Sequence, residues 1–183
     1  MPLLVAAGVS TAATTINFDN LAPGTAVTNQ YAAEGVLFGV DPALDTLVNI
    51  IIANSGLQTS PPNVLAAAGM NTDGYISFAF PLGALDVAFK ANSVEEGATA
   101  FYYSSGGSLL SSQTLTGANS TTPVSFAYVV PQGGTPVAKV VIRAFEEVFA
   151  DPFAIDDLVF TLVPEPAAIS LLAFGLLMLV RRR

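Results

Sequence analysis

The groups in this 183-residue chain that could do chemistry are mostly carboxylates: fourteen Asp and Glu stand beside six Lys and Arg, with no His and no Cys. Asp19 near the front and the adjacent pair Asp156-Asp157 near the end have the type that a hard cation takes, because Ca²⁺ collects about six to eight oxygen ligands from carboxylates, carbonyls and amides. Glu34 and Asp73 could add to such a set from loops. Neighbouring residues of a regular strand point to opposite faces, so Asp156 and Asp157 can share one ion only where the strand bulges or ends. The competing reading has these acids facing solvent or capping turns. Calcium is the one cofactor the inventory offers, and nothing in the chain requires it.

A second chemistry open to carboxylates is glycoside hydrolysis, which needs two of them roughly 5 to 10 Å apart. Glu95-Glu96 and Glu146-Glu147 are the candidates, but neighbouring acids are ordinary on exposed loops, and none stands alone in an apolar stretch that would raise its pKa. Missing His and Cys remove the Ser-His-Asp and Cys-His arrangements, imidazole acid-base work and ordinary zinc sites. The chain reads as a non-enzyme. Tyr31, Tyr75, Tyr102, Tyr103 and Tyr128 could offer stacking faces to a sugar, in place of the absent Trp. Tyr102 and Tyr103 must look opposite ways if their strand is regular.

Charge narrows the partners. Three of the six basic residues are Arg181, Arg182 and Arg183; without them and Glu165 the body carries three basic residues against thirteen acidic ones. A body so acidic does not suit nucleic acid or an anionic lipid surface.

The elements that must position these groups read as strands: short apolar or alternating runs separated by Gly, Pro, Asn and Ser. They are expected at 14–19, 35–40, 47–53, 74–80, 85–91, 98–103, 108–115, 124–130, 137–145 and 153–161. Ten strands without a convincing amphipathic helix predict an all-β, antiparallel two-sheet sandwich over residues 14–163, jelly-roll-like in kind. Ser105-Gly106-Gly107 and Gln132-Gly133-Gly134 read as hairpin turns, making consecutive strands neighbours. Ile76, Phe78 and Phe80, then Val87 and Phe89, put bulk on one face as core.

The two ends read differently. Leu3 to Val9 followed by Ser10-Thr11-Ala12-Ala13 looks like the end of a secretory signal, giving residues 1–13 as its remnant; the competing reading is a first strand. At the other end, Pro164-Glu165-Pro166 precedes an apolar run from Ala167 to Val180, broken only by Ser170 and closed by Arg181-Arg182-Arg183. Pro166 suits the first position of a helix over 166–180. Fourteen residues at about 1.5 Å each reach roughly 21 Å, short of the ~30 Å hydrocarbon core, unless the arginines extend the helix and snorkel to the headgroups. The arginines would then lie on the cytoplasmic side, with the body outside.

That tail, 164–183, resembles the PEP-CTERM sorting signal of Gram-negative, exopolysaccharide-producing bacteria. The resemblance implies processing by an exosortase near Pro164-Glu165-Pro166, a membrane-anchored precursor held by its C-terminal helix, and delivery to the cell surface or matrix. Exosortase and membrane are the partners it implies, with exopolysaccharide as a third. In the body, Ile16-Asn17-Phe18-Asp19-Asn20-Leu21, Pro23-Gly24-Thr25 and Gly35-Val36-Leu37-Phe38 resemble the opening of β-sandwich domains often joined to this tail. Ala154 to Phe160 resembles the closing strand of jelly-roll modules, including carbohydrate-binding and adhesive ones. The expected function is therefore a structural or adhesive surface module, with a calcium-dependent carbohydrate-binding module as the alternative and a carboxylate glycosidase after it.

Overall fold

The computed structural model describes residues 12–39, 49–53, 62–68, 75–92, 97–115, 123–144 and 154–164. Regular structure among them is all β: β1 (Thr14–Ile16), β2 (Leu37–Phe38), β3 (Asn49–Ala53), β4 (Val64–Ala68), β5 (Tyr75–Asn92), β6 (Ala98–Tyr103), β7 (Leu109–Leu115), β8 (Val124–Val129), β9 (Val137–Ala144) and β10 (Ala154–Leu162). All strand pairs are antiparallel.

β5 organises the fold. Pro81-Leu82-Gly83 reads in sequence as a break between two strands, but the chain runs through it as one strand with an irregularity between Ala79 and Ala84. Proline has no N–H for a ladder, and Gly83 takes a left-handed φ of 79°, so the segment bends instead of pairing. The bend also resets the alternation: Ile76, Phe78 and Phe80 are buried before it, Val87, Phe89 and Ala91 after it. A one-residue phase slip of this kind needs a bulge.

All ten strands are hydrogen-bonded into one continuous sheet, and each half of β5 belongs to a different half of it. Ala88 pairs with Val159 on one edge and Ala127 on the other, while Ala84 pairs with Leu162 and Val137. β8 and β9 therefore lie end to end along one edge, with β10 and β2 along the other. The bend in β5 folds this continuous sheet into two parts, named the first and second sheet for brevity; the first is β3, β4 and β1, β10, the second half of β5, and β8. The second is β2, the first half of β5, β9, β6 and β7. Gln113 Oε1 accepts the Ala127 amide hydrogen at 3.1 Å, tying β7 of the second sheet to β8 of the first.

Two expectations are corrected. Consecutive strands are paired in β3–β4 and β6–β7, but the chain through Gln132-Gly133-Gly134 makes no hairpin: it carries the chain from β8 to β9 along the same edge of β5. β4 was not expected. Its Val64-Leu65-Ala66-Ala67 are all buried, so the run is continuously apolar and gives no period-two signal.

Between the sheets lies an aromatic core. Phe78 meets Phe38, Phe80 and Phe89 at ring-centroid distances of 5.6, 5.7 and 6.1 Å. Phe80 continues to Phe160 at 4.9 Å and Phe89 stacks on Phe126 at 5.0 Å. Phe38 belongs to β2 and Phe160 to β10, so the network binds both sheets through the bent strand. Burying each ring removes apolar surface worth about 1.5–3 kcal/mol, and with no disulfide this packing carries the stability.

Candidate functional site

Of the acids singled out by sequence, Asp156 and Asp157 lie on β10, and Asp19 follows β1, which pairs along one edge of β10. Val159 pairs with Thr15 on that edge and Ala154 with Ala66, so β1 and β4 follow one another there. Where one partner gives way to the next, β10 bulges: Asp156 opposes Lys90 and Val159 opposes Ala88, leaving one extra residue on β10. Asp157 takes φ 51° and, on the β1 side, Phe18 takes φ 62°. A left-handed non-glycine residue costs about 1–2 kcal/mol. Phe18 offsets that cost by burying its ring completely, edge-on to Tyr31 at 5.6 Å and Phe38 at 5.8 Å. The turn at Phe18 sends Asp19 toward the start of β4.

Each carboxylate there has a structural partner. Asp19 Oδ1 accepts the Asn63 amide hydrogen at 2.9 Å, and Asn63 Nδ2 donates to the Leu21 carbonyl at 3.0 Å. Asp156, only 1% exposed, accepts the amide hydrogen of Asp157 at 2.8 Å. Asp157 Oδ2 meets Lys90 Nζ at 2.8 Å, a hydrogen bond that holds the ammonium above its usual pKa. The bulge foreseen as the condition for Asp156 and Asp157 to cooperate is present, yet it aims Asp157 at Lys90. Asp19, Asp156 and Asp157 do not form one calcium donor set: among the described residues no group of three or more acidic, His or Cys side chains could hold a metal ion. Lys90 and Asn63, the partners that decide this, carry no sequence signal of their role.

Tyr31 sits beside this junction, its hydroxyl donating to Asn20 Oδ1 at 2.6 Å. Burial first, then the charges of Glu34 and Asp19, push its phenol up to about 12. It is a structural tyrosine. Tyr102 is buried in the core, its ring stacked on Tyr128 at 4.9 Å, and burial raises its pKa.

The other two tyrosines face outward, as alternation requires. Ile142 and Ile76 pair inside the second sheet, so Arg143, Tyr75 and their neighbour Thr99 lie on its outer face. In the next row on this side Ser77 and Val141 are buried, like Thr99, and Phe101 is partly exposed; the third row is Ala79, Lys139 and Tyr103. The Arg143 guanidinium lies over the Tyr75 ring at 5.6 Å and Lys139 Nζ over Tyr103 at 5.3 Å, within the ~6 Å reach of a cation–π contact. Phe101 and Tyr103 present near-parallel rings, 29° apart with centroids at 6.5 Å. Thr99 and Thr114 share a hydroxyl hydrogen bond at 2.7 Å. All three rings are partly exposed. The sequence reading named Tyr75 and Tyr103 but missed Phe101, Lys139 and Arg143; alternation at 99/101/103 and 139/141/143 was the signal that could have found them.

Pro164 closes the described residues; Glu165, Pro166, the helix expected over 166–180 and Arg181, Arg182 and Arg183 lie outside them, as do residues 1–11, Asp73, Glu95, Glu96, Glu146 and Glu147. Among the described residues no helix is long and apolar enough to cross a membrane.

With this geometry in hand, the fold can be set beside solved structures. The K2 cleaved adhesin domain of Lys-gingipain is similar over 82% of this chain and 100% of its own, at 16% identity and a TM-score of 0.54. The CBM22-1 xylan-binding domain from Paenibacillus barcinonensis Xyn10C matches 87% of this chain and 99% of its own, at 9% identity and a TM-score of 0.49. No protein-family profile and no curated protein matches the chain. The likeness to the adhesin domain is one of fold, and function must be argued from the residues on it.

Proposed function

We propose that this chain is a non-enzymatic, adhesive β-sandwich that holds polysaccharide on the outer face of its second sheet. The observation that carries this is the group of partly exposed rings, Tyr75, Phe101 and Tyr103, set on rigid strands beside the exposed hydroxyl-bearing residues Ser112 and Thr114 of β7. Such rings give a sugar an apolar bed with hydrogen-bonding tips, and strands hold them more firmly than loops would. The bulged acidic junction serves the fold in this reading, and the face serves the ligand.

Its place in the cell is proposed from the tail. Pro164-Glu165-Pro166, the apolar run and the arginine cluster support export, transient anchoring and exosortase cleavage near that motif, with release to the cell surface or an exopolysaccharide matrix. Two experiments test the two halves. A panel of soluble polysaccharides in native affinity gels should retard the protein with at least one member, and Tyr103→Ala should reduce that retardation; no retardation anywhere on the panel refutes the binding half. The intact mass of the protein recovered from exosortase-bearing cells should lack the residues after the Pro-Glu-Pro motif, and recovery of an uncut tail refutes the sorting half.

A further inference from the structure

Resting on the tail's proposed role as an anchor, we propose that the corner of the folded sheet where the chain leaves β10 seats on the bilayer, with Leu82, Leu85 and Val129 reaching between zwitterionic phospholipid headgroups. Among the described residues four large apolar side chains stand exposed: Leu82 at 46%, Leu85 at 37%, Leu109 at 55% and Val129 at 71%. Three of them belong to this corner. Leu82 lies in the bend of β5, and Leu85 is the extra residue left where Thr161 opposes Asp86 and Leu162 opposes Ala84. Val129 opposes Asp86, and the next amide, that of Val130, donates to the Leu85 carbonyl at 2.8 Å. Pro81 and Pro131, also exposed, extend the corner. A single exposed leucine needs no explanation, but three large apolar side chains at one corner do.

What covers the corner follows from where the chain goes. Val163 donates its amide hydrogen to the Gly83 carbonyl at 3.0 Å, one residue from Leu82, and a side chain on Gly83 would meet both Val163 and Pro136. The apolar run begins at Ala167, three residues past Pro164, which is at most about 11 Å of extended chain. A bilayer that holds this run therefore lies within that distance of the corner. Three apolar side chains are too few to hold a free protein on a membrane, but so short a tether makes their insertion an intramolecular step. The charges near the corner set the headgroup. Asp86 stands on the same face as Val129, and Glu165 follows Pro164 on a body already acidic, which favours zwitterionic headgroups over anionic ones. Seating the corner also sets Pro164-Glu165-Pro166 at headgroup level, within reach of a membrane-bound enzyme.

The chain has no Trp, so Leu82→Trp, Val129→Trp and Ser125→Trp each carry one fluorophore in the full-length protein. Ser125 is exposed on the same side of β8 as Val129, four residues and roughly 14 Å further from the corner. Each variant is reconstituted with phosphatidylcholine vesicles, with and without brominated acyl chains, and floated; thermal unfolding checks that each is folded. In the floated protein, emission at 82 and 129 should shift to the blue and be quenched by brominated lipid at least about two-fold more than at 125. Phosphatidylglycerol in place of phosphatidylcholine should reduce that quenching, and equal quenching in both overturns the headgroup assignment. Quenching at 82 and 129 no stronger than at 125 overturns the seating while leaving the anchor. Protein that does not float overturns the anchor reading, and the seating with it. Blue-shifted emission at 82 without vesicles, unchanged when they are added, means that the tail or a second copy covers the corner, and this too overturns the seating.

Discussion

Asp19 accepts the amide hydrogen of Asn63 at 2.9 Å across forty-four residues of chain. The bond joins the exit of β1 to the entry of β4, the two strands that share an edge of β10. Asn63 is 3% exposed, so removing the acceptor strands a donor that water cannot easily reach. Asp19→Ala should therefore cost about 1–3 kcal/mol in urea unfolding, and Asp19→Asn, which keeps an oxygen there, clearly less. Equal losses for the two would show that the bond does not hold the junction.

At the bulge, backbone conformation should outweigh charge. Lys90 and Asp157 have side-chain exposures of 42% and 23%, so Lys90→Ala should cost no more than about 1 kcal/mol. Asp157→Val places a β-branched residue at φ 51°, adding about 1–2 kcal/mol or more of conformational cost, whereas Asp157→Gly relieves it. The order of stability should be Gly above Val at 157, with Lys90→Ala the mildest change beside Val; a Val variant as stable as Lys90→Ala contradicts this.

Tyr102 carries a buried hydroxyl with no hydrogen-bond partner. Its ring packs on Tyr128, so the fold needs the ring but gains nothing from the oxygen. Tyr102→Phe should stabilise the protein by about 1 kcal/mol or more, read as a raised denaturation midpoint. A destabilised phenylalanine variant would mean that the hydroxyl is satisfied.

Alkaline pH should loosen the fold in a defined window. The Tyr31 phenol titrates near 10 when unfolded and near 12 when folded. Folding binds that proton more tightly, so its contribution is fully present below pH 10 and is lost between pH 10 and 12, at about 1.4 kcal/mol per pH unit. Lys90, also raised by its partner Asp157, adds a loss in the same direction above its ordinary range, reduced by exposure. Unfolding curves from pH 9 to 12 should steepen in this window for wild type and flatten for Tyr31→Phe. Identical slopes would contradict the assignment to Tyr31.

Much of the fold was legible because period two survives wherever one face is buried: Ile76, Phe78 and Phe80 declared the core before any pairing was known. β4 was illegible because burial on both faces erases the alternation. Pro81-Gly83 misled because a corner between sheets uses the same residues as a turn. The acidic positions were legible as residues but not as a site, since Asn63 and Lys90 reach them from 44 and 67 residues away. The outer face was half legible: two of its tyrosines stood out, while its cations became meaningful only when the register laid Arg143 beside Tyr75 and Lys139 beside Tyr103.

Amide shift mapping tests the central claim most directly. On titrating ¹⁵N-labelled protein with an oligosaccharide from a polysaccharide that retards it in affinity gels, amides of β6 and β9, around Phe101, Tyr103, Lys139 and Arg143, should move in proportion to occupancy, while those around Asp19 and Asp157 stay still. Shifts confined to the β1–β10 junction, or none at all at saturating oligomer, would contradict a polysaccharide-binding face on the second sheet.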